Sequence, residues 1–453
     1  MKRNIVLFMS AITLAFSACD EKLHLTPAQS VDQDVALETD SNVKTVLVGA
    51  YDEVSSSRLY GGILMFFPEM LSSNKEIRWQ GTYSEPREVY NKAIFTNNIY
   101  VTDLWTDAYA VINTANNVLE ATTVVNEEDQ DRVKGEALFL RGSMFFELTR
   151  LYAQPYVAGN TNSNLAIPLV LSPTRGIEES SFVTRNTVQE AYDQVLSDLT
   201  TAESLLPETN GFFATKAAAS AMLSRVYLQM ERFADARDAA HRAITSSGKS
   251  LNPAYGDAFN NTQNSPEDIF AIQVSAQDGD NHMHLFYSIP EFGGRDGDVV
   301  PLQAHFNQYE TGDDRLTLFY TGNGDDRVGK WKIQYANLSV IRLAEMYLTR
   351  AEGNLREGTE VGDSPLNDLN RIRERVKLPV KSSVTLQDIL KERKLELAHE
   401  GHFLHDVKRT KGSIADNTSN VVYPYNDPKL VLPIPQREID ANPNLVQNEG
   451  YGS

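Results

Sequence analysis

Apolar residues recur at three- and four-residue steps in several long stretches of the chain, and each such stretch predicts an amphipathic helix. From Asn42 the pattern runs through Val43, Val46, Leu47, Ala50, Tyr51 and Val54. It returns at Leu104, Trp105, Ala108, Ile112, Ala115 and Leu119, and again from Gly135 to Tyr152. Thr187 to Leu206 predicts a fourth helix, with Thr184 or Asn186 as its cap. Between Thr215 and Ile244, the positions Leu223, Ser224, Tyr227, Phe233, Ala236, Ala243 and Ile244 have the spacing of two antiparallel helices in a repeat of about 34 residues. A looser copy spans Val340 to Val376, using Leu343, Tyr347, Ala351, Leu366, Leu369 and Ile372, and Leu386 to Arg409 predicts helix and turn.

The period breaks in two intervals. Ser55 to Asn98 mixes Gly61, Gly62, Pro68 and Pro86 with Phe66, Phe67, Trp79, Tyr83 and Tyr90, and reads as a long irregular loop too aromatic for disorder. Ser247 to Gln334 is irregular as well, with a short alternating run at Ile269 to Val274 that predicts a strand. Leu430 to Tyr451 carries no helical period and predicts an extended tail. The fold class that follows is mostly α: a tetratricopeptide-like helical-repeat scaffold with long irregular loop insertions and a few short strands.

Composition narrows the possibilities. A 41% apolar fraction over 453 residues supplies a large core. The formal net charge of −19 sets the chain against nucleic acid and against electrostatic adsorption to anionic lipid. The sole cysteine, Cys19, rules out an internal disulfide. It stands where a leader ends: Lys2 and Arg3, an apolar run from Ile5 to Phe16, then Ser17 and Ala18. That run is shorter than the roughly 20 residues of a membrane-spanning helix and has the form of a secretory signal.

The junction resembles a bacterial lipobox, with Phe16 in place of the usual leucine. Further blocks are similar, in order, to the SusD/RagB family: Gly49-Ala50-Tyr51-Asp52, Trp105 to Glu120, Glu136 to Tyr152, Arg342 to Glu352, Leu369 to Arg375, Glu392 to Arg409 and Leu432 to Tyr451. Phe403 stands where the family carries arginine, and Glu449 where proline is usual. The resemblance implies a lipoprotein signal over 1–18, and a lipidated N-terminus and tether over 19–40. It implies an N-terminal helical region over 41–250 with a ligand loop at 55–98, a loop-rich insertion over 251–335 and a C-terminal family region over 336–453. It implies no cofactor beyond covalent lipid on Cys19. It also implies a surface-exposed outer-membrane lipoprotein that caps a SusC-like TonB-dependent transporter and binds oligosaccharide, or in some branches peptide, for uptake.

Glycan recognition needs flat apolar faces for sugar rings and planar hydrogen-bonding groups for hydroxyls. In the first irregular interval Asn74, Arg78, Trp79, Gln80 and Tyr83 supply both kinds, and the resemblance places part of the family's ligand platform there. In the second, Tyr287, Phe292 and Arg295 are the candidates, with Tyr309 and Trp331 competing; Trp331 falls in a stretch that resembles a structural strand of the family, which implies a core role. No hydrolase elbow, phosphate loop or HExxH motif occurs, so a binding protein is expected rather than an enzyme. A secreted glycan-degrading enzyme and a periplasmic repeat scaffold are the readings from other classes. His399, His402 and His405 beside Glu400 have a spacing that could place two imidazoles on one helical face but lack an identifiable carboxylate partner and open coordination position, and His282 and His284 could share one side of a strand. Cys19→Ser should leave ligand binding in solution unchanged while releasing the protein from outer-membrane fractions. Continued fractionation with outer membranes would make the lipid dispensable.

Overall fold

The computed structural model describes residues 37–176 and 178–452; Cys19 and the tether lie outside them. The first helix, α1 (Asp40–Val54), is capped by Thr39, whose hydroxyl accepts the Asn42 N–H at 3.2 Å. It is followed by α2 (Ile63–Leu71), β1 (Ile77–Trp79), α3 (Ser84–Tyr90), α4 (Ile99–Glu120), α5 (Glu127–Tyr152) and α6 (Val188–Leu205). Next come α7 (Lys216–Gln229), α8 (Phe233–Ser246), β2 (Asp268–Ile272), α9 (His282–Tyr287), β3 (Val299–Pro301), α10 (Gln303–Phe306), β4 (Phe319–Gly322) and β5 (Asp325–Val328). The remainder is β6 (Leu338–Arg342), α11 (Leu343–Glu357), α12 (Pro365–Arg375), α13 (Leu386–Glu396), α14 (Phe403–Arg409), β7 (Ser413–Ala415), β8 (Val422–Pro424) and α15 (Gln436–Ala441).

The long helices form one ladder. α1 packs on α4, α4 on α5, α5 on α6, α6 on α7, α7 on α8, α8 on α11 and α11 on α12. The two helical hairpins expected from residue spacing are α7–α8 and α11–α12, and they are direct neighbours although the whole second irregular interval separates them in sequence. Small residues permit the close approach: Ala236, Ala239, Ala240 and Ala243 are buried along α8, and a Cβ added at Gly353 of α11 would lie 2.6 Å from the Arg237 Cβ of α8. One apolar core runs from Val43 to Leu445.

Four of the sequence expectations are corrected. The interval 55–98 is not irregular throughout, since it holds the helices α2 and α3 and the strand β1; α2 is buried on every side, so it shows no 3.6-residue period to read. The cap of α6 is Thr187, which forms a reciprocal capping box with Glu190, whereas Asn186 turns back to accept the Leu169 N–H. His282 and His284 sit in the short helix α9 rather than on one side of a strand. The tail contains α15 and folds back on the scaffold: Leu432 N–H donates to Leu151 O at 2.8 Å, and Asn448 Nδ2 to Tyr152 O at 2.8 Å.

The C-terminal half is fastened by charge as well as by apolar packing. The Leu432–Leu151 backbone bond closes the tail over α5, while a buried ionic lattice joins the second irregular interval to α11, α12 and α13. Arg342, at the end of β6, donates to Glu267 Oε1 at 2.9 Å, Glu396 Oε1 at 2.6 Å and Glu400 Oε2 at 2.7 Å. Arg375 pairs with the same Glu267 and Glu396, and Lys330 reaches Glu400 at 2.5 Å. Around this centre lie Arg225–Glu345, Arg350–Asp368, Arg393–Asp406 and Arg409–Glu352. Burial alone would raise the Glu396 carboxyl, but the guanidinium groups of Arg375, Arg342 and Arg315 outweigh it and hold the group down at about 2.

A carboxylate held below its unfolded value of 4.5 stabilises the fold above that pH, and the contribution is lost as pH falls toward about 2. Acid titration followed by circular dichroism should therefore show stability declining across that window. Glu396→Gln, which leaves Arg342 and Arg375 short of a buried partner, should cost about 3–5 kcal/mol at neutral pH by denaturant melt. A loss under about 1 kcal/mol would show that the remaining carboxylates neutralise both guanidinium groups without it.

Candidate functional site

The two irregular intervals meet. Strand β1 pairs antiparallel with β3, setting Ile77 opposite Pro301, Arg78 opposite Val300 and Trp79 opposite Val299. Alternation along β1 sends Ile77 and Trp79 inward and Arg78 outward. Just beyond, Gln80 N–H donates to Asp298 O at 2.8 Å and Gln80 Nε2 to Gly297 O at 3.2 Å. Residues 217 positions apart in sequence are thereby laid on one face.

On that face Arg78, Gln80, Tyr83 and Arg295 are brought together, while Phe292, three residues before Arg295, packs against the β4–β5 hairpin. Arg295 Cζ lies 3.7 Å from the centroid of the Tyr83 ring, a cation–π contact, and its Nη2 donates to Thr82 Oγ1 at 2.8 Å. Its Nε donates to Asp298 at 3.0 Å; burial raises the Asp298 carboxyl, and Arg295 partly offsets this. Arg78 bridges Gln80 Oε1 at 3.2 Å and Asp325 Oδ1 at 2.9 Å, tying the β4–β5 hairpin to the face. Phe292 packs edge-on to Tyr320, with Lys332 Nζ 4.4 Å from one ring and 4.0 Å from the other. The result is a fixed surface of aromatic rings and charged hydrogen-bonding groups, with Tyr83 37% exposed.

Three expected ligand residues lie elsewhere. Trp79 is only 6% exposed: its ring packs against Phe66 and Phe286 at centroid distances of 5.8 Å, and Gly81 closes over it, since a Cβ there would lie 2.3 Å from the indole. Tyr287 is fully buried, with its hydroxyl 3.5 Å from His399 Nδ1. Asn74 adopts a left-handed turn at φ 50° and accepts the Ala415 N–H at 2.8 Å, which fastens β7. All three support the scaffold instead of facing a ligand. Of the competing aromatics, Trp331 is buried in a short 3-10 turn after β5 and donates to His399 O at 3.2 Å; Tyr309 bonds His305 at 3.1 Å. His399 and His405 are buried, and burial holds both imidazoles well below their usual value.

Residue types alone did not reveal the concave part of the site. Beside the platform, a cleft of about 640 Å³ opens between the C-terminal end of α1 and the turns at 274–285, with Gly293, Gln334 and Tyr335 completing its wall. The loop from Phe292 to Arg295 belongs to both features: Arg295 N–H donates to Leu285 O, and His284 Nε2 lies 2.9 Å from Phe292 O. The lining is polar and acidic. Partial burial and a hydrogen bond shared with Asp278 hold the Asp52 carboxyl above its ordinary value, and burial does the same for Glu53. Tyr335 stands 43% exposed at the edge. The turn-rich run Ser275-Ala276-Gln277-Asp278-Gly279-Asp280 was the available signal, but nothing in it points to α1 as its partner.

Comparison with known proteins follows the same division. A family model described as "Starch-binding associating with outer membrane" matches residues 23–228, and the SusD family model matches 319–451. SusD-like protein P2 of Formosa agariphila is 24% identical over 526 aligned residues, covering 100% of both chains. Starch-binding protein SusD of Bacteroides thetaiotaomicron is 36% identical over 128 residues, 25% of this chain and 22% of that one. A crystal structure described as a putative sugar binding protein from Bacteroides vulgatus superposes with a TM-score of 0.80 at 27% identity, covering 92% of this chain and 99% of that chain. Among the described residues no helix is long and apolar enough to cross a membrane. With both ends of the chain matched by SusD models and the helical ladder shared with a solved structure, this chain belongs to the SusD/RagB family.

Proposed function

We propose that this protein is a non-enzymatic carbohydrate-binding component of nutrient uptake at the outer membrane. In the finer form of this reading it is held at the cell surface by lipid on Cys19, caps a SusC-like TonB-dependent transporter and receives oligosaccharide between itself and the barrel. The observation that carries the reading is the composite face of Tyr83, Arg295, Arg78 and Gln80 beside a polar cleft of about 640 Å³. An aromatic ring and fixed planar donors are what a sugar's C–H face and hydroxyls require. The cleft volume lies within the range of ordinary ligand sites. The names of the starch-binding relative and of the sugar-binding structural neighbour point the same way. Closure of the lid would follow from tighter binding of the ligand by the closed arrangement than by the open one.

The acidic lining of the cleft, with Asp52, Glu53, Asp278 and Asp280, favours a second reading in which the ligand is a basic oligopeptide. Native affinity electrophoresis through gels containing soluble starch, pullulan, xylan or laminarin separates the two. Retention by at least one polysaccharide, with no new reducing ends released, is expected. Retention by none, together with binding of lysine-rich peptides, would favour the peptide reading.

Two further outcomes are expected. Tyr83→Ala should weaken polysaccharide retention roughly 5- to 10-fold with an unchanged melting temperature. Trp79→Ala should cost about 3–5 kcal/mol of stability, because it empties a core position beneath the platform. The reverse pattern would exchange the roles assigned to the two rings. A tagged protein extracted from its native outer membrane in mild detergent should bring down a TonB-dependent barrel in near-equal amount; recovery without a barrel would overturn the lid role while leaving glycan binding in place.

A further inference from the structure

A second depression, of about 250 Å³, adjoins the cleft on the far side of Asp52 and Asp278, and its walls include Val48, Tyr51, Phe212 and Gln273. Across Phe212 and Phe270 this leads into a third depression of about 160 Å³, lined in part by Asn210, Lys249 and Asn264. The first and second hollows share Asp52, Ser55 and Asp278, and the second and third share Phe212, Phe213, Phe270 and Ala271. The three hollows lie side by side in a groove-like track leading away from the platform, with the hydrogen-bonded Asp52 and Asp278 side chains as the sill between the first two.

The middle of this groove is built to present an aromatic ring. Phe212 is 62% exposed and Val48, across from it on α1, 51%. The turn that carries Phe212 is held at several points: Gly211 takes a left-handed φ of 59°, Phe213 N–H donates to Asn210 O at 3.0 Å, and Asn210 Nδ2 to Ala214 O at 3.0 Å. Ala214 N–H donates to the Tyr51 hydroxyl at 3.0 Å, and the Phe213 ring packs on Tyr51 at 4.7 Å. Phe213 therefore anchors the turn and Phe212 is left facing solvent. Beside the exposed ring stand Asp52, Asp278 and Gln273, which accept or donate hydrogen bonds.

We infer that the groove is an extension subsite for a linear glycan chain, in which a sugar unit several positions along from the cleft lies on the Phe212 ring. The inference rests on the carbohydrate-binding reading and adds a minimum chain length to it. Adjacency identifies the occupant: a chain seated in the cleft that runs on over the sill made by Asp52 and Asp278 meets the exposed Phe212 ring in the next hollow. A single short sugar would fill the cleft and leave the groove empty.

The test uses the mature protein and a size-fractionated ladder, from two to ten units, prepared from whichever of soluble starch, pullulan, xylan or laminarin retains it. Affinities of wild type, Phe212→Ala and Tyr83→Ala are measured by calorimetry. Phe212→Ala should weaken binding of the longest chains roughly 5- to 10-fold and leave the shortest unchanged, whereas Tyr83→Ala should weaken both. Val48→Lys, which obstructs the groove from α1 without touching the turn, should repeat the length-dependent loss independently. Unchanged affinity of both groove variants for every chain length, with Tyr83→Ala still impaired, would overturn the subsite and leave the proposed function standing. An equal loss at all lengths would also overturn it, by placing Phe212 in the primary site. Retention of wild type by no polysaccharide would remove the carbohydrate reading and the subsite with it.

Discussion

The guanidinium of Arg342 is the point on which the C-terminal half of the molecule depends. Three carboxylates, Glu267 from the second interval and Glu396 and Glu400 from the end of α13 and the turn after it, converge on it out of contact with water. Such a cluster adds little net stability over a well-packed apolar equivalent, since each ion is costly to desolvate, but removing one member leaves a buried charge unmatched. Its effect here is on geometry. Glu400, held by Arg342, also holds Lys330; Lys330 fixes the turn that ends β5; and β5 begins at Asp325, which grips Arg78 on the ligand-facing surface. A relay of ionic contacts thus runs from the start of α11 to a surface arginine on β1.

This arrangement explains what the sequence made legible. Helices α1, α4 and α6 announce themselves because each has one buried face, and the α7–α8 and α11–α12 hairpins do so through spacing, although α7 and α11 are buried nearly all round. The blocks Arg342 to Glu352, Leu369 to Arg375 and Glu392 to Arg409, which carried the family resemblance, are the segments that supply Arg342, Glu345, Arg350, Glu352, Arg373, Arg375, Glu392, Arg393, Glu396, Glu400, Asp406 and Arg409 to the lattice or its margins. Helix α2 stayed hidden because it is only nine residues long, carries Pro68 inside it and is buried from Ile63 through Leu71, so no polar face marks a period over so short a stretch.

The candidate site was half legible. Residue type identified Arg78, Gln80, Tyr83 and Arg295, which share a face, but type cannot distinguish the outward Tyr83 from the inward Trp79 one short turn earlier. Only the pairing of β1 with β3 decides that, and a three-residue strand is too short to show alternation on its own. The cleft was not legible at all, because its walls come from the end of a regular helix and from turns whose partners lie far away along the chain. Its turns and part of the platform fall in the interval between the stretches matched by the two family models, while the scaffold beneath them falls within those stretches.

The β1–β3 clasp has a consequence for how such a protein changes over time. Because the two strands contribute three residues each, the register is the whole specification of which side chains face outward. A slip by one position would bring the indole of Trp79 to the surface and drive the Arg78 guanidinium into an aromatic core, so a length change inside the clasp is forbidden. Length changes in the turns on either side leave the register untouched. The cleft-lining turn from Ser275 to Asp280 can therefore be exchanged as a cassette, whereas Met283, Phe286 and Tyr287 of α9 are buried in the core and bind the rest of the segment to the scaffold: what the turn selects is free to drift, while the three-residue seam is not.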